Sequence, residues 1–224
     1  MSLYFKKEVN AVFTANTSID NIESSSTSVL NIVMRKEALK SAIQMKDRFN
    51  IPYVYIKPYG LEKTEKFIRK VKDITGWELD EVEYRKDIDS VKKHLFNIKR
   101  KFYFYSGVKK CAVIGDYDTV VGFKSILKEL DLEVDRLQVL YNTSCVEEGI
   151  LISNEEFERM NYLKNTDLLA LLSDGASIDM EHKSKLDLQI SNPNLTSINI
   201  YPYTPFIGVR GLHYIIEKFL NIEI

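Results

Sequence analysis

From Val29 onward, short apolar runs alternate with longer stretches in which apolar residues recur every three or four positions, a pattern that predicts strands alternating with helices. VLNIV reads as a strand and KEALKSAIQMKDRF as a helix, with Ala38, Ala42, Met45 and Phe49 on one face. IPYVYI is a second strand, ending at KPYG. LEKTEKFIRKVKDI is a second helix, carrying Leu61, Phe67, Ile68, Val71 and Ile74. Ahead of these, VNAVFT has the alternation of a strand and ESSSTS reads as a loop, while the opening Met-Ser-Leu reads as an expression scar.

Residues 78–104 form a long polar stretch in which Leu79, Val82, Ile88, Val91, Leu95, Ile98 and Phe102 recur at helical spacing. It suits a connector; the apolar positions make too few clean heptads for a coiled coil. Beyond it the alternation resumes. CAVIG is a strand that turns into a helix over Thr119 to Asp131, and VDRLQVLY is a strand. NEEFERMNYL is a helix behind an Asn154 cap, TDLLALL and SINIY are further strands, and PFIGVRGLHYIIEKFLN is a terminal helix. Short strand-helix-strand connections require parallel pairing. The expected fold class is therefore α/β, with two Rossmann-like parallel-sheet units joined by a long helix. The units span residues 1–77, truncated at the N-terminus, and 105–224, with the connector over 78–104.

Composition narrows the function more than the fold. With 224 residues, 45% hydrophobic and 28% charged, and a formal net charge of -1, the chain has the profile of a soluble cytoplasmic protein. No apolar run approaches the roughly 20 residues of a membrane span, and no charged-then-apolar leader is expected ahead of the first domain. The near-zero charge excludes nucleic acid as a general partner, because phosphate neutralisation needs surplus Lys and Arg. Basic residues crowd residues 57–110 and acidic ones residues 129–224, as on solvated faces. Cys111, Cys145, His94, His182 and His213 form no CxxC or HxxxH spacing, so no metal ligand set, structural zinc or self-contained iron-sulfur site is predicted. Cys111 opens an apolar strand and reads as a small buried residue.

Candidate chemistry lies at the carboxyl ends of the strands, where parallel α/β sheets bind ligands. These ends supply Arg35, then Tyr59 and Gly60, then Gly115, Asp116 and Tyr117, then Ser173, Asp174 and Gly175, with Tyr203 to Gly208 last. Gly60 and Gly115 also serve as turn formers, and Asp118 as the cap of the helix it precedes. Asp116 with Asp118 could form an acid pair, but no nucleophile or histidine stands near them in sequence. A dinucleotide is disfavoured: GxGxxG is missing, and two carboxylates beside a helix N-terminus repel a pyrophosphate. No catalytic residue is assigned.

LNIVMRKEALKSAIQMKDRFNIPY, PYGLEKTEKFIRKV, CAVIGDYDTVVGFKSILKELDLEV, TDLLALLSDG and TPFIGVRGLHYIIEKFL, in this order, resemble nitrogenase component 1 and its relatives, which include cofactor-assembly scaffolds and reductases of tetrapyrrole synthesis. The resemblance implies the last two of three Rossmann-like domains, the first of which carries the cysteines of the iron-sulfur cluster through which electrons enter. Where the cofactor-bearing subunit has a ligating cysteine this chain has Met34-Arg35. At that subunit's histidine position lie residues Ile198 to Tyr201. GDYD is similar to the companion subunit, which lacks the metal cofactor.

The resemblance implies a subunit fragment that positions a substrate or cluster in an interdomain cleft, with a paired subunit and an ATP-dependent iron-sulfur donor as partners. An iron-sulfur or metal cluster would then belong to the full complex, with no cofactor in this chain. Two other readings stay open: a two-lobed module binding a small ligand in a cleft lined by Tyr53, Tyr55, Tyr59, Tyr117, Tyr201 and Tyr203, and a scaffold without redox activity.

Overall fold

The computed structural model describes residues 2–13, 17–141, 147–193, 195 and 206–223. The chain divides into two compact units, residues 1–58 with 62–89, and residues 59–61 with 90–224.

The first unit opens with α1 (Ser2–Phe5), then α2 (Ile19–Ser24) and a short 3-10 turn. Tyr4 and Phe5 are part of the fold: Tyr4 donates from its hydroxyl to Asp87 Oδ2 at 2.6 Å, and Phe5 packs on Trp77 with ring centroids 6.0 Å apart. VNAVFT is no strand over its described residues. Val9, Val12 and Phe13 stay 62, 54 and 48% exposed, because alternation without a neighbouring strand buries nothing. β1 (Asn31–Ile32) and β2 (Tyr53–Val54) pair in parallel across α3 (Leu39–Phe49). α3 stops where Asn50 takes a left-handed conformation and its N–H bonds Lys46 O at 2.9 Å. Its expected inner face is narrower than the spacing suggests, with Ala42 buried and Phe49 52% exposed.

α4 (Gly60–Thr75) buries Phe67, Ile68 and Val71, as its periodicity requires. α5 (Glu81–Tyr103) runs without interruption from residues of the first unit into residues of the second. Its apolar stripe is buried at Ile88, Val91, Ile98 and Phe102, whereas Val82 is 79% exposed.

The second unit holds a five-stranded parallel sheet of β3 (Lys110–Gly115), β4 (Glu133–Val139), β5 (Leu151–Ile152), β6 (Asp167–Asp174) and β7 (Lys183–Ser191), in the order β5-β4-β3-β6-β7. The connecting helices are α6 (Tyr117–Glu129), α7 (Glu156–Asn165) and α8 (Gly175–Ile178), with α9 (Gly208–Leu220) last. The chain lays down β3, β4 and β5 in one direction, then returns to place β6 and β7 on the other side of β3. That is the doubly wound, Rossmann-like order, and the α/β class holds in both units.

β3 and β6 are central and apolar on both faces. Ala112, Ile114, Leu168 and Leu171 pack with Leu140 and with Leu163 of α7, and burying each large side chain contributes about 1.5–3 kcal/mol. β7, unpredicted from sequence, is an edge strand whose first half leaves Lys183, Lys185 and Asp187 exposed. The predicted strand SINIY lies outside the described residues, as do Cys145, Tyr201 and Tyr203. No described helix is long and apolar enough to cross a membrane. Glu155, not Asn154, occupies the cap position of α7, and its side chain makes no capping bond.

Candidate functional site

β3 and β6 are neighbours in space but lie on opposite sides of the reversal in strand order, so their carboxyl ends form the switch point of the sheet. Both strands end in the same turn: an aspartate in extended conformation that caps the next helix.

Asp116, with φ -78° and ψ 156°, accepts from Thr119 N at 3.1 Å through Oδ1 and from Thr119 Oγ1 at 2.8 Å through Oδ2. Asp174, with φ -73° and ψ 163°, accepts at Oδ1 from Ser177 N at 3.0 Å and from Ser173 Oγ at 3.1 Å. The expected Asp118 cap is thus corrected to Asp116. The helix begins at Tyr117, two residues earlier than its apolar pattern indicates, so Asp118 falls in the first turn and is 3% exposed. Two carboxylates there suit the positive end of the helix dipole.

The end of β7 closes over both turns. Ser191 Oγ donates to Asp116 Oδ2 at 3.2 Å and accepts from Asp116 N at 3.3 Å. A Cβ on Gly115 would come within 2.8 Å of Ser191 Cβ, so the strand must end in a residue without a side chain. Gly175 N donates to Pro193 O at 2.8 Å, and a Cβ on Gly175 would stand 2.7 Å from that oxygen. Ser173, Asp174 and Gly175 are all buried, while Tyr117 is half-buried on the first turn of α6.

Tyr59 and Gly60 belong to the same unit and do a different job. The Tyr59 ring lies on Gly122 and against Phe123, with centroids 5.9 Å apart. Gly60 has φ +81°, and Leu61 N donates to Glu129 Oε2 at 2.6 Å, so the carboxylate at the end of α6 caps the start of α4. Arg35 sits in the other unit, exposed, with Nε 3.5 Å from Glu37 Oε2. Sequence reasoning missed Ser191 and Glu129. For Ser191 a signal existed: the alternation of Leu186, Leu188 and Ile190 with polar residues, broken by Asn192-Pro193, marks a strand end.

Polar groups without partners lie deeper in the unit. Arg159 is 5% exposed, and among the described residues its Nε and Nη1 have no hydrogen-bond partner, nor does Ser177 Oγ. Arg159 lies one turn before Leu163 on α7. That helix returns antiparallel to the strands, so its earlier turns lie toward the carboxyl edge.

At the other edge of the sheet, burial alone would raise the Asp135 carboxyl, but hydrogen bonds from Lys110 and Tyr162 outweigh it and hold the carboxyl below its ordinary value. Lys110 Nζ is 2.9 Å from Asp135 Oδ1, and the Tyr162 hydroxyl is 2.7 Å from Oδ2.

A family of doubly wound α/β proteins is defined by this order and these turns, and similarity to known proteins specifies which. A profile of nitrogenase component 1 type oxidoreductases matches residues 2–222, and the chain belongs to that family. It is 24% identical over 237 residues to a subunit of the light-independent protochlorophyllide reductase of Leptolyngbya boryana, a match covering 96% of this chain and 45% of the relative. It is 29% identical over 156 residues to the nitrogenase molybdenum-iron protein beta chain of Methanothermobacter thermautotrophicus, covering 69% of this chain and 33% of the relative. A solved structure titled nitrogenase Cp1 at pH 6.5 shares the fold with a TM-score of 0.74 at 16% identity, over 93% of this chain and 48% of that one. The chain spans less than half the length of these relatives. The likeness to a beta chain agrees with the side of the family that GDYD indicates.

The described residues do not fit a metal cluster. They hold no group of three or more His, Cys, Asp or Glu that could take a metal ion. Arg35 is a guanidinium with no lone pair to offer a metal. Cys111 is fully buried, and burial pushes its thiol up to about 12, far from the thiolate a cluster needs.

Proposed function

We propose that this chain is part of a nitrogenase component 1 type oxidoreductase subunit, positioning a substrate or cluster that the full complex supplies, with electrons from an ATP-dependent iron-sulfur partner. The family match over residues 2–222 carries this reading. The switch point of the five-stranded sheet is the proposed place for the bound group, and the candidate residues there are Gly115, Asp116, Tyr117, Ser173, Asp174 and Gly175. Buried Arg159, whose Nε and Nη1 have no hydrogen-bond partner among the described residues, lies toward the same edge. Tyr59, Gly60 and Arg35 are kept as ligand-contacting candidates on sequence grounds.

One observation favours the second reading, a scaffold without redox activity: the Asp116 and Asp174 carboxylates are both engaged within the fold as helix caps. Iron analysis separates the two. The product of the complete reading frame, purified anaerobically with its paired subunit, is expected to carry chelation-resistant iron in stoichiometric amount; a complex free of iron would leave the scaffold reading standing.

A further inference from the structure

Three large aromatic side chains cluster on the surface where α5 ends. Phe96, Tyr103 and Phe104 are 65, 80 and 77% exposed. Water-exposed aromatics in such number on one short stretch mark interaction surfaces, because leaving them in water forgoes their whole burial term. They border a groove of about 460 Å³ whose floor includes Phe102 and Leu130, both buried in the core.

The rim of the groove is basic. Lys99, Arg100 and Lys109 line it, with Asp131 as its acidic member. Lys99 is already paired, its Nζ 3.0 Å from Asp131 Oδ2. Arg100 and Lys109 have no ion-pair partner among the described residues. Phe96, Arg100 and Tyr103 recur at helical spacing, so an aromatic and a guanidinium share one face of α5. Lys109 immediately precedes β3, which puts the groove at the amino edge of the sheet, opposite the switch point.

We infer that this groove docks an acidic protein segment, one that inserts an apolar side chain over Phe102 and Leu130 and sets carboxylates against Arg100 and Lys109. Aromatic residues and arginine beside a desolvated pocket are the composition of binding hot spots. A nucleic acid fits less well. The Asp131 carboxylate interrupts the rim that a phosphate backbone would follow. The inference is independent of the redox reading, since the groove lies at the edge away from the proposed ligand site.

The test is fluorescence anisotropy of three labelled probes titrated with the full chain at physiological salt. They are a peptide alternating Glu with Leu and Phe, the same peptide with Lys for Glu, and an oligodeoxythymidine. Anionic phosphatidylglycerol vesicles form a fourth arm, read by co-sedimentation. The acidic peptide should bind, and Tyr103→Ala with Phe104→Ala should weaken it about tenfold or more. Arg100→Glu should weaken the acidic peptide and admit the basic one. These side chains are exposed, so unfolding midpoints should stay unchanged, which keeps loss of binding distinct from loss of fold. Equal binding by all variants, no binding of the acidic peptide, or tighter binding of the oligonucleotide or vesicles would overturn the inference.

Discussion

Ser191 hydrogen-bonds the Asp116 carboxylate at 3.2 Å although 75 residues separate them in sequence. The bond ties the last residue of the edge strand β7 to the cap of the helix that follows the central strand β3. Asp116 is therefore a joint in the fold, and its substitutions report on that joint.

Asp116→Ala should lower stability by about 0.5–2 kcal/mol, the cost of losing an N-cap. Asp116→Asn keeps an acceptor for Thr119 N and should lose much less. Chemical denaturation of both variants is the check. Asp118→Ala, lacking the capping bond, should not reproduce the Ala/Asn contrast; if Asp116→Asn proves as costly as Asp116→Ala, the capping role is refuted.

Gly122 lies under the Tyr59 ring, into which a Cβ would press. Gly122→Ala sets two effects against each other: about 1 kcal/mol gained in helix propensity and about 1–3 kcal/mol lost to overpacking. The contact is with the base of the ring rather than a flexible tip, so the loss should win. In a Tyr59→Ala background the sign should reverse, and a double-mutant cycle reads the coupling. Additivity within the error of denaturation would show that the ring does not press on this helix.

Asp135, held below the ordinary carboxyl value by Lys110 and Tyr162, gives a pH signature. A carboxyl depressed in the folded state contributes stability above its unfolded pKa, and the contribution is lost as the pH falls through the folded value. Asp135→Asn should be less stable than the parent at neutral pH, and the gap should close on acidification below about pH 4. Thermal melts across that range decide the matter, and a gap that grows with acid would contradict the assignment.

Much of the fold is written in the sequence where burial is two-sided. β3 and β6 read as apolar runs because helices cover both faces, and α4 and α9 read from their periodic apolar faces. β7 was missed although Leu186, Leu188 and Ile190 alternate with Lys185, Asp187 and Gln189, the pattern of a half-buried strand. β5, with two residues, is too short to leave a pattern. The turns at Gly115 and Gly175 were legible as turns. Their partners were not, since Ser191 and Pro193 meet them only through the strand order. Helix starts are similarly fixed by caps rather than by periodicity, which is why the capping role passes from Asp118 to Asp116.

The central proposal, that this chain serves a subunit taking electrons from an ATP-dependent iron-sulfur donor, is tested most directly by following the donor itself. The complex containing this chain is mixed anaerobically with the pre-reduced donor, and absorbance of the donor cluster is recorded by stopped flow with and without ATP. Oxidation of the donor that requires both ATP and the complex is the predicted result. A donor that stays reduced while ATP is hydrolysed at its uncoupled rate would contradict the account.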